Sequence, residues 1–224
     1  NPAQILELKA IKALFRVNRD IMIRTLCLIF AFAWFTDQGA RLGDLSLAAN
    51  LILMQFVTFS AFFIDGFAIA SESIMGEAHG KRDRHAANDI IRAAFFNGGL
   101  LALLLSVALF FLSPGIMQLL TSSPTVINEA TEFSLWMVAT PLISFAAYIY
   151  DGLFIGATKT AEMRTAMVVS LLVYLLAWRL TQSFENHGLW LALMIYYVAR
   201  AVSLGYYQRR LYEFLDQDVK TTEK

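Results

Sequence analysis

Four carboxylates stand within, or at the ends of, long apolar stretches of this 224-residue chain: Asp37, Asp65, Glu72 and Asp151. A charged side chain at the centre of a membrane costs about 2.5–3.5 kcal/mol on insertion scales, so such residues usually face a cavity or a partner and serve function. The chemistry open to them is the reversible binding of a proton, a sodium ion or an organic cation. The alternative for each is a structural hydrogen bond to a neighbouring helix, or a helix end among lipid headgroups.

The surroundings of Asp151 contain several further residues of interest. Tyr148 precedes it by one helical turn, and we include this phenol in the candidate ion- and substrate-binding site. Gly152 and Gly156 form a Gly-x-x-x-Gly step, which lets a neighbouring helix or a ligand approach closely. Pro141 removes one backbone hydrogen bond, which produces either a static kink or a moving hinge. We therefore treat the proline and the two glycines as hinge candidates.

The carboxylates are predicted to lie at different depths. At about 1.5 Å per residue, Asp65 and Asp151 both fall in the inner third of the membrane, and Asp37 falls toward the outer face. Asp65 and Asp151 are each followed by glycine, in the related strings DGFAIA and DGLFIGA. Carboxylates at different depths are what a route for protons or cations across the membrane requires.

The elements that must position these residues are apolar blocks. Apolar residues make up 58% of the sequence and charged residues 16%, whereas a soluble domain is about one quarter charged. Each block is about as long as a bilayer is thick; the blocks are 21–40, 46–75, 93–112, 133–157, 165–182 and 188–206. We predict an all-α membrane protein with a six-transmembrane-helix bundle over 21–208. A cytoplasmic interfacial linker helix precedes it in 1–20, and a cytoplasmic tail follows in 209–224.

The basic residues predict the orientation of the bundle. If six spans alternate, all of the 18 lysines and arginines except Arg41 and Arg179 fall on one side. The positive-inside rule makes that side cytoplasmic, so both termini of this segment are expected there. Residues 113–127 contain two prolines and no charge, and are expected to form an outer loop or short interfacial turn.

Other classes of function have little support in the sequence. A single cysteine, Cys27, gives neither a disulfide framework nor a CxxC site. No G-x-S-x-G or H-E-x-x-H motif is present, and GATKT at 156–160 lacks the glycine that a phosphate loop has before its lysine. We therefore expect no enzyme, no metal site and no cofactor. The basic run KRDRH at 81–85 is explained more simply as a cytoplasmic loop than as a nucleic-acid site.

Several strings together resemble the multidrug and toxic compound extrusion (MATE) family of transporters, and within it the DinF-like branch. They are NRDIMIRT (18–25), GARLGD (39–44), DGFAIA (65–70), YIYDGLFIGATKTAEMR (148–164) and NHGLWLAL (186–193). The resemblance covers nearly the whole chain and corresponds to the C-terminal six-helix half, one lobe of a twelve-helix transporter. It places Asp151 at the acidic position of the tenth helix and Asp65 at that of the eighth.

The resemblance implies a secondary antiporter of a bacterial cytoplasmic (inner) membrane. Such a transporter exports organic cations or other toxic compounds in exchange for protons or sodium, and its lobe rocks against an N-terminal six-helix lobe around a central cavity. The expected partners are that lobe, a small organic substrate and the lipid bilayer. One alternative is a lipid-linked oligosaccharide flippase, which is expected to line its cavity with basic residues; here Arg24, Arg179 and Arg200 are assigned to span ends. The other alternative is a structural membrane subunit that transports nothing.

Overall fold

The computed structural model describes residues 8–212, and this part of the chain is helical, with no strand. Six long helices follow one another: α1 (Leu8–Arg41), α2 (Asp44–Lys81), α3 (Arg84–Leu120), α4 (Pro124–Gly156), α5 (Thr160–Thr181) and α6 (Glu185–Tyr207). Short 3-10 turns follow the last two, at Gln182–Phe184 and Gln208–Tyr212. The all-α prediction is confirmed. Residues 1–7 of the predicted linker helix and 213–224 of the predicted tail lie outside the described residues.

Most of the helices have the length and composition of membrane spans. Within residues 8–212, four stretches meet that criterion: Asp44–Lys81, Arg84–Leu120, Pro124–Gly156 and Thr160–Tyr212. The last contains both α5 and α6, so the count covers five of the six predicted spans, and α1 is not among them. Large apolar side chains such as Phe111 and Leu119 are 73% and 85% exposed. A soluble monomer rarely exposes so much apolar surface, whereas lipid covers it in a membrane protein.

The turns between helices are short and have recognisable local causes. Gly43 precedes α2 with φ of 123°, a conformation that glycine adopts without steric cost. The Asp83 side chain caps α3 by accepting a hydrogen bond from the Ala86 amide at 3.0 Å. Pro124 opens α4 in its first turn, where its missing N–H would have had no partner in any case.

Of the outer loop or short interfacial turn predicted over 113–127, the structure contains only a short turn, at 121–123. Helix α3 continues through Pro114 to Leu120, and only three residues separate it from α4. Ser113 and Met117 are 3% and 1% exposed, so this end of α3 packs into the bundle. Packing and the apolar environment maintain the helix across the proline, as is common in membrane helices.

Helix α4 lies at the centre of the packing. It runs against α2 along much of its length and also contacts α3 and α6. Helices α5 and α6 form a second pair, and α1 lies against α5. The main core contains Phe35, Leu53, Ile64 and Trp190. This arrangement brings the C-terminal half of α4, which carries Asp151, close to side chains of α1, α2 and α6.

Candidate functional site

Asp151 lies at the centre of a buried ionic cluster. The residue is 4% exposed. Its Oδ2 atom accepts hydrogen bonds from Arg24 on α1, through Nε at 3.1 Å and through Nη2, and from Nη2 of Arg200 on α6. One carboxylate therefore joins α1, α4 and α6. Its charge is compensated by two guanidinium groups, a partnership that the sequence analysis did not anticipate.

Arg200 is the most deeply buried charged group of this cluster. It is 0% exposed, and its Nε and Nη1 atoms have no hydrogen-bond partner in the described part of the chain. The guanidinium carbon lies 5.4 Å from the centre of the Tyr148 ring, within the range of a cation–π contact. Since a buried charge needs a partner, Asp151 is the residue that makes this position tolerable for an arginine.

Asp65 is the second carboxylate of the cluster, and its environment differs from that of Asp151. It lies on α2, is half-buried, and makes no hydrogen bond to any residue of 8–212. The guanidinium groups of Arg24 and Arg200 are close enough to interact with it electrostatically. With both carboxylates ionised, two positive and two negative charges cancel, and Asp65 is the acid that could lose its charge without breaking a hydrogen-bonded ion pair.

Asp65 and Asp151 lie on α2 and α4, two helices whose backbones approach closely. A β-carbon on Gly152 would overlap the carbonyl group of Ala68, and one on Gly156 would overlap the carbonyl oxygen of Glu72. Only glycine permits this approach. The Gly-x-x-x-Gly step thus forms a helix–helix contact in this structure, and its role as a hinge stays a prediction.

Pro141 and Tyr148 lie on the same helix as Asp151. Pro141 is buried inside α4, which remains one continuous helix from Pro124 to Gly156. The proline is ten residues before Asp151, or about 15 Å along the axis. Tyr148 is 7% exposed, and its ring is 6.2 Å from that of Tyr197. Tyr148 therefore belongs to the cluster, whereas the hinge prediction for Pro141 is untested.

The remaining predicted site residues lie away from the cluster. Asp37 is exposed and accepts hydrogen bonds from Arg41 Nε at 2.9 Å and Gln38 Nε2 at 2.8 Å. It is about 20 Å along α1 from Arg24. Glu72 is half-buried and lies two helical turns beyond Asp65. The structure thus brings together Asp65, Asp151 and Tyr148 from the predicted set.

Sequence reasoning missed Arg24 and Arg200 as site residues. It assigned both to span ends, where the positive-inside rule explains basic residues, and the structure corrects that interpretation. A signal was present: Arg24 lies within IMIRTLCLIF and Arg200 within IYYVARAV, each flanked by apolar residues on both sides. An arginine so placed requires an acidic partner, but its identity depends on contacts that are 127 and 49 residues apart in the chain.

Two further buried polar groupings lie elsewhere in the bundle. Asp20, 1% exposed, accepts hydrogen bonds from Arg164 Nη1 at 2.7 Å and from Arg19, and thereby ties α1 to α5. A second, uncharged grouping consists of Asn50, Asn186 and Trp190. We call it the amide cluster, and it ties α2 to α6 through side-chain hydrogen bonds of 2.7–3.1 Å.

Comparison with known proteins identifies related sequences. A family model described as MatE matches residues 21–178. The chain is 40% identical over 199 residues to "DNA damage-inducible protein F" of Escherichia coli (strain K12), covering 89% of this chain and 43% of that protein. It is 24% identical over 193 residues to "Protein DETOXIFICATION 42" of Arabidopsis thaliana, covering 84% of this chain and 36% of that protein.

Two solved structures share the fold. A MOP superfamily transporter from Pyrococcus furiosus, described as having a binding pocket of reverse polarity, matches with a TM-score of 0.80 and 16% identity, over 90% of this chain and 45% of that one. A mutant of the Vibrio cholerae MATE transporter VcmN matches with a TM-score of 0.75 and 22% identity, over 94% and 50%. The chain spans half or less of the length of each of these relatives.

Proposed function

Because the chain belongs to the MatE family of membrane transporters, we propose that it is the C-terminal lobe of an efflux antiporter for small organic compounds. A second six-helix lobe of the same polypeptide would face it across a central cavity. The proposed location is a bacterial cytoplasmic membrane, with both ends of this segment on the cytoplasmic side. The site residues bind and release charged species and carry out no covalent chemistry.

One observation carries the assignment of the site within this lobe. Asp65 is a half-buried carboxylate with no hydrogen bond in the described residues, and the two arginines near it are already held by Asp151. We assign the exchange of a coupling ion for a cationic substrate to Asp65. Asp151 is the counter-ion that holds Arg24 and Arg200 in place, which differs from the ion-exchanging role expected for it from the sequence.

The chemistry of the site favours the proton over sodium as coupling ion. A hard metal cation replaces its water shell with several oxygen ligands, whereas a proton needs one lone pair. Oδ2 of Asp151 already accepts from both arginines, and α2 is an unbroken helix around Asp65, so its backbone carbonyls are used within the helix. The charged groups near Asp65 are the guanidinium groups of Arg24 and Arg200, which donate hydrogen bonds and do not coordinate a cation.

The two buried arginines agree with the flippase alternative, but their positive charges are already paired with Asp151. A lipid-linked pyrophosphate needs guanidinium groups that can bind it, and here both bind Asp151. We therefore rank it below the antiporter. The structural-subunit alternative predicts no transport at all, and the following experiment distinguishes it from the antiporter.

The test uses the full-length transporter reconstituted in liposomes. Uptake of the cationic dye ethidium is driven by an imposed pH gradient or, separately, by a sodium gradient. We expect the pH gradient to drive transport, and Asp65→Asn to reduce it to the level of empty liposomes. Glu72→Gln is the matched control, since it alters a carboxylate on the same helix two turns away, and it should retain transport. Undiminished transport by Asp65→Asn contradicts the assignment.

A further inference from the structure

The ion-paired residues Arg24, Asp151 and Arg200 determine how protonation of Asp65 changes the net charge of the site. We propose that Arg24 and Arg200 convert the protonation of Asp65 into the release of a cationic substrate, because they change the sign of the net charge that the substrate meets. This inference rests on the proposed function and deepens it. It assigns a coupling role to two arginines that are otherwise explained as topological or structural charges.

The charge balance shows why the arginines matter. Two carboxylates alone would carry a net charge of −2, and protonation of Asp65 would leave −1, which still attracts a cation. With Arg24 and Arg200 present, the same protonation changes the net charge from zero to +1. In a low-dielectric site, one unit charge several ångströms away has a large effect on a bound ion. Repulsion of the cation after protonation therefore requires the arginines.

The contacts of the two arginines favour fixed positions for them through such a cycle. Both donate hydrogen bonds to Oδ2 of Asp151, and Arg200 is 0% exposed and lies over the Tyr148 ring. Moving either guanidinium out would leave Asp151 without part of its compensation. The Arg24 side chain is 19% exposed, so it is the arginine that solvent can approach. The positive charges are fixed, and only the charge of Asp65 varies.

The groups that face Asp65 leave it as the variable charge of this site. Helix α1 contributes Arg24, α4 contributes Tyr148 and α6 contributes Arg200, and Asp151 binds both arginines. Helix α3 has no titratable side chain from residue 93 to its end at Leu120. On α2 itself, Glu72 is the next acid, about 10 Å along the axis.

Substitutions that restore the charge balance test the inference. Binding of tetraphenylphosphonium to the purified full-length transporter is measured at pH 8 and pH 6. Asp65→Asn fixes the cluster at +1, so we expect an affinity about 10- to 50-fold weaker than the wild type at pH 8, the effect of one unit charge about 7–12 Å away at an effective dielectric constant of about 20. The double variant Asp65→Asn/Arg24→Gln returns the charge to zero, and its affinity should recover and be independent of pH. Arg24→Lys, which keeps the charge, should retain the wild-type pH dependence.

A second measurement needs no arginine variant. Tetraphenylborate has nearly the shape of tetraphenylphosphonium and the opposite charge. In Asp65→Asn the borate should bind more tightly than in the wild type, while the phosphonium binds more weakly. Equal loss of both probes, or failure of the double variant to recover phosphonium binding, overturns the role of the arginines and leaves the assignment of Asp65 intact. Wild-type phosphonium binding by Asp65→Asn overturns the proposed function itself.

Discussion

Two of the buried polar groupings of the bundle, the amide cluster and the ionic cluster around Asp151, satisfy their buried polar atoms in different ways. In the amide cluster, Asn50 and Asn186 exchange hydrogen bonds of 2.7 and 3.1 Å, and Trp190 donates to Asn50 at 2.9 Å. In the other, one oxygen of Asp151 accepts from two arginines. Both clusters tie α6 to its neighbours, and about 15–21 Å of helix separates them.

The difference lies in what each cluster leaves unused. The amide cluster is neutral, each of its amides both donates and accepts, and none of its groups changes charge near neutral pH. The ionic cluster keeps two nitrogen atoms of Arg200 that have no hydrogen-bond partner within residues 8–212, and it includes the half-buried Asp65. A satisfied polar network rigidifies a bundle. A network with spare donors and a neighbouring acid can respond to a proton, so we assign structure to the first and ion exchange to the second.

The largest effect on stability is expected for Asp151→Asn. This change leaves two guanidinium groups without their carboxylate, and the loss of one partner of a buried ion pair costs about 3–5 kcal/mol. Chemical unfolding of the full-length transporter in detergent measures the change in unfolding free energy. A loss below about 1 kcal/mol would mean that the arginines find other partners and that Asp151 is not their counter-ion.

A smaller but substantial effect is expected for Gly152→Ala. The new β-carbon would overlap the Ala68 carbonyl, and such overpacking costs about 1–3 kcal/mol. It would also move α2, and with it Asp65, away from the arginines, so transport should fall as well. Gly66→Ala is the matched control, since a β-carbon there meets no atom within 4 Å. Equal behaviour of the two variants argues against the close packing of α2 on α4.

The amide cluster is tested by Asn50→Ala. The substitution leaves the Asn186 amide and the Trp190 N–H without partners, which costs about 1–3 kcal/mol. We expect lower stability with the pH dependence of transport unchanged, and the same unfolding and liposome assays measure both quantities. A shifted pH profile would mean that the amide cluster also affects ion exchange, which contradicts its purely structural role.

The smallest effect is expected for Asp37→Asn. Its ion pair with Arg41 is exposed, with side chains 49% and 71% accessible, and such pairs contribute about 0–1 kcal/mol. Stability and dye transport should both remain close to those of the wild type. A marked loss of transport would restore Asp37 to the site predicted from the sequence.

Helix positions were predictable because apolar length and charge distribution are local properties of the chain. The centre of each of the six helices falls within its predicted block, although α1 already begins in the segment 1–20 that was predicted as a linker helix. Gly43 and Pro124 mark two of the boundaries. The ends were predicted too short because hydropathy reports the apolar part of a helix, whereas α2 and α3 continue into polar residues. Pro114 was given too much weight, since packing of Ser113 and Met117 keeps that segment helical.

The candidate site was predictable only in part. Asp65, Asp151 and Tyr148 were found because acids in apolar helices are unusual. Their partners were missed because the same positive charge can serve topology or an ion pair, and only the contacts of Arg24 and Arg200 with Asp151 in the folded bundle distinguish these roles. The charge of a buried site depends on all its neighbours, so the acids alone gave an incomplete view of the electrostatics.

The most direct test of Asp65 as the group that exchanges a proton for the substrate is proton release on substrate binding. Tetraphenylphosphonium is added to the full-length transporter in weakly buffered solution near neutral pH, and the released protons are counted with a pH indicator. We expect release of up to about one proton per bound cation in the wild type and in Asn50→Ala. Asp65→Asn should release none from the binding that remains. Undiminished proton release by Asp65→Asn would contradict the assignment of ion exchange to Asp65, because another group would then exchange the proton.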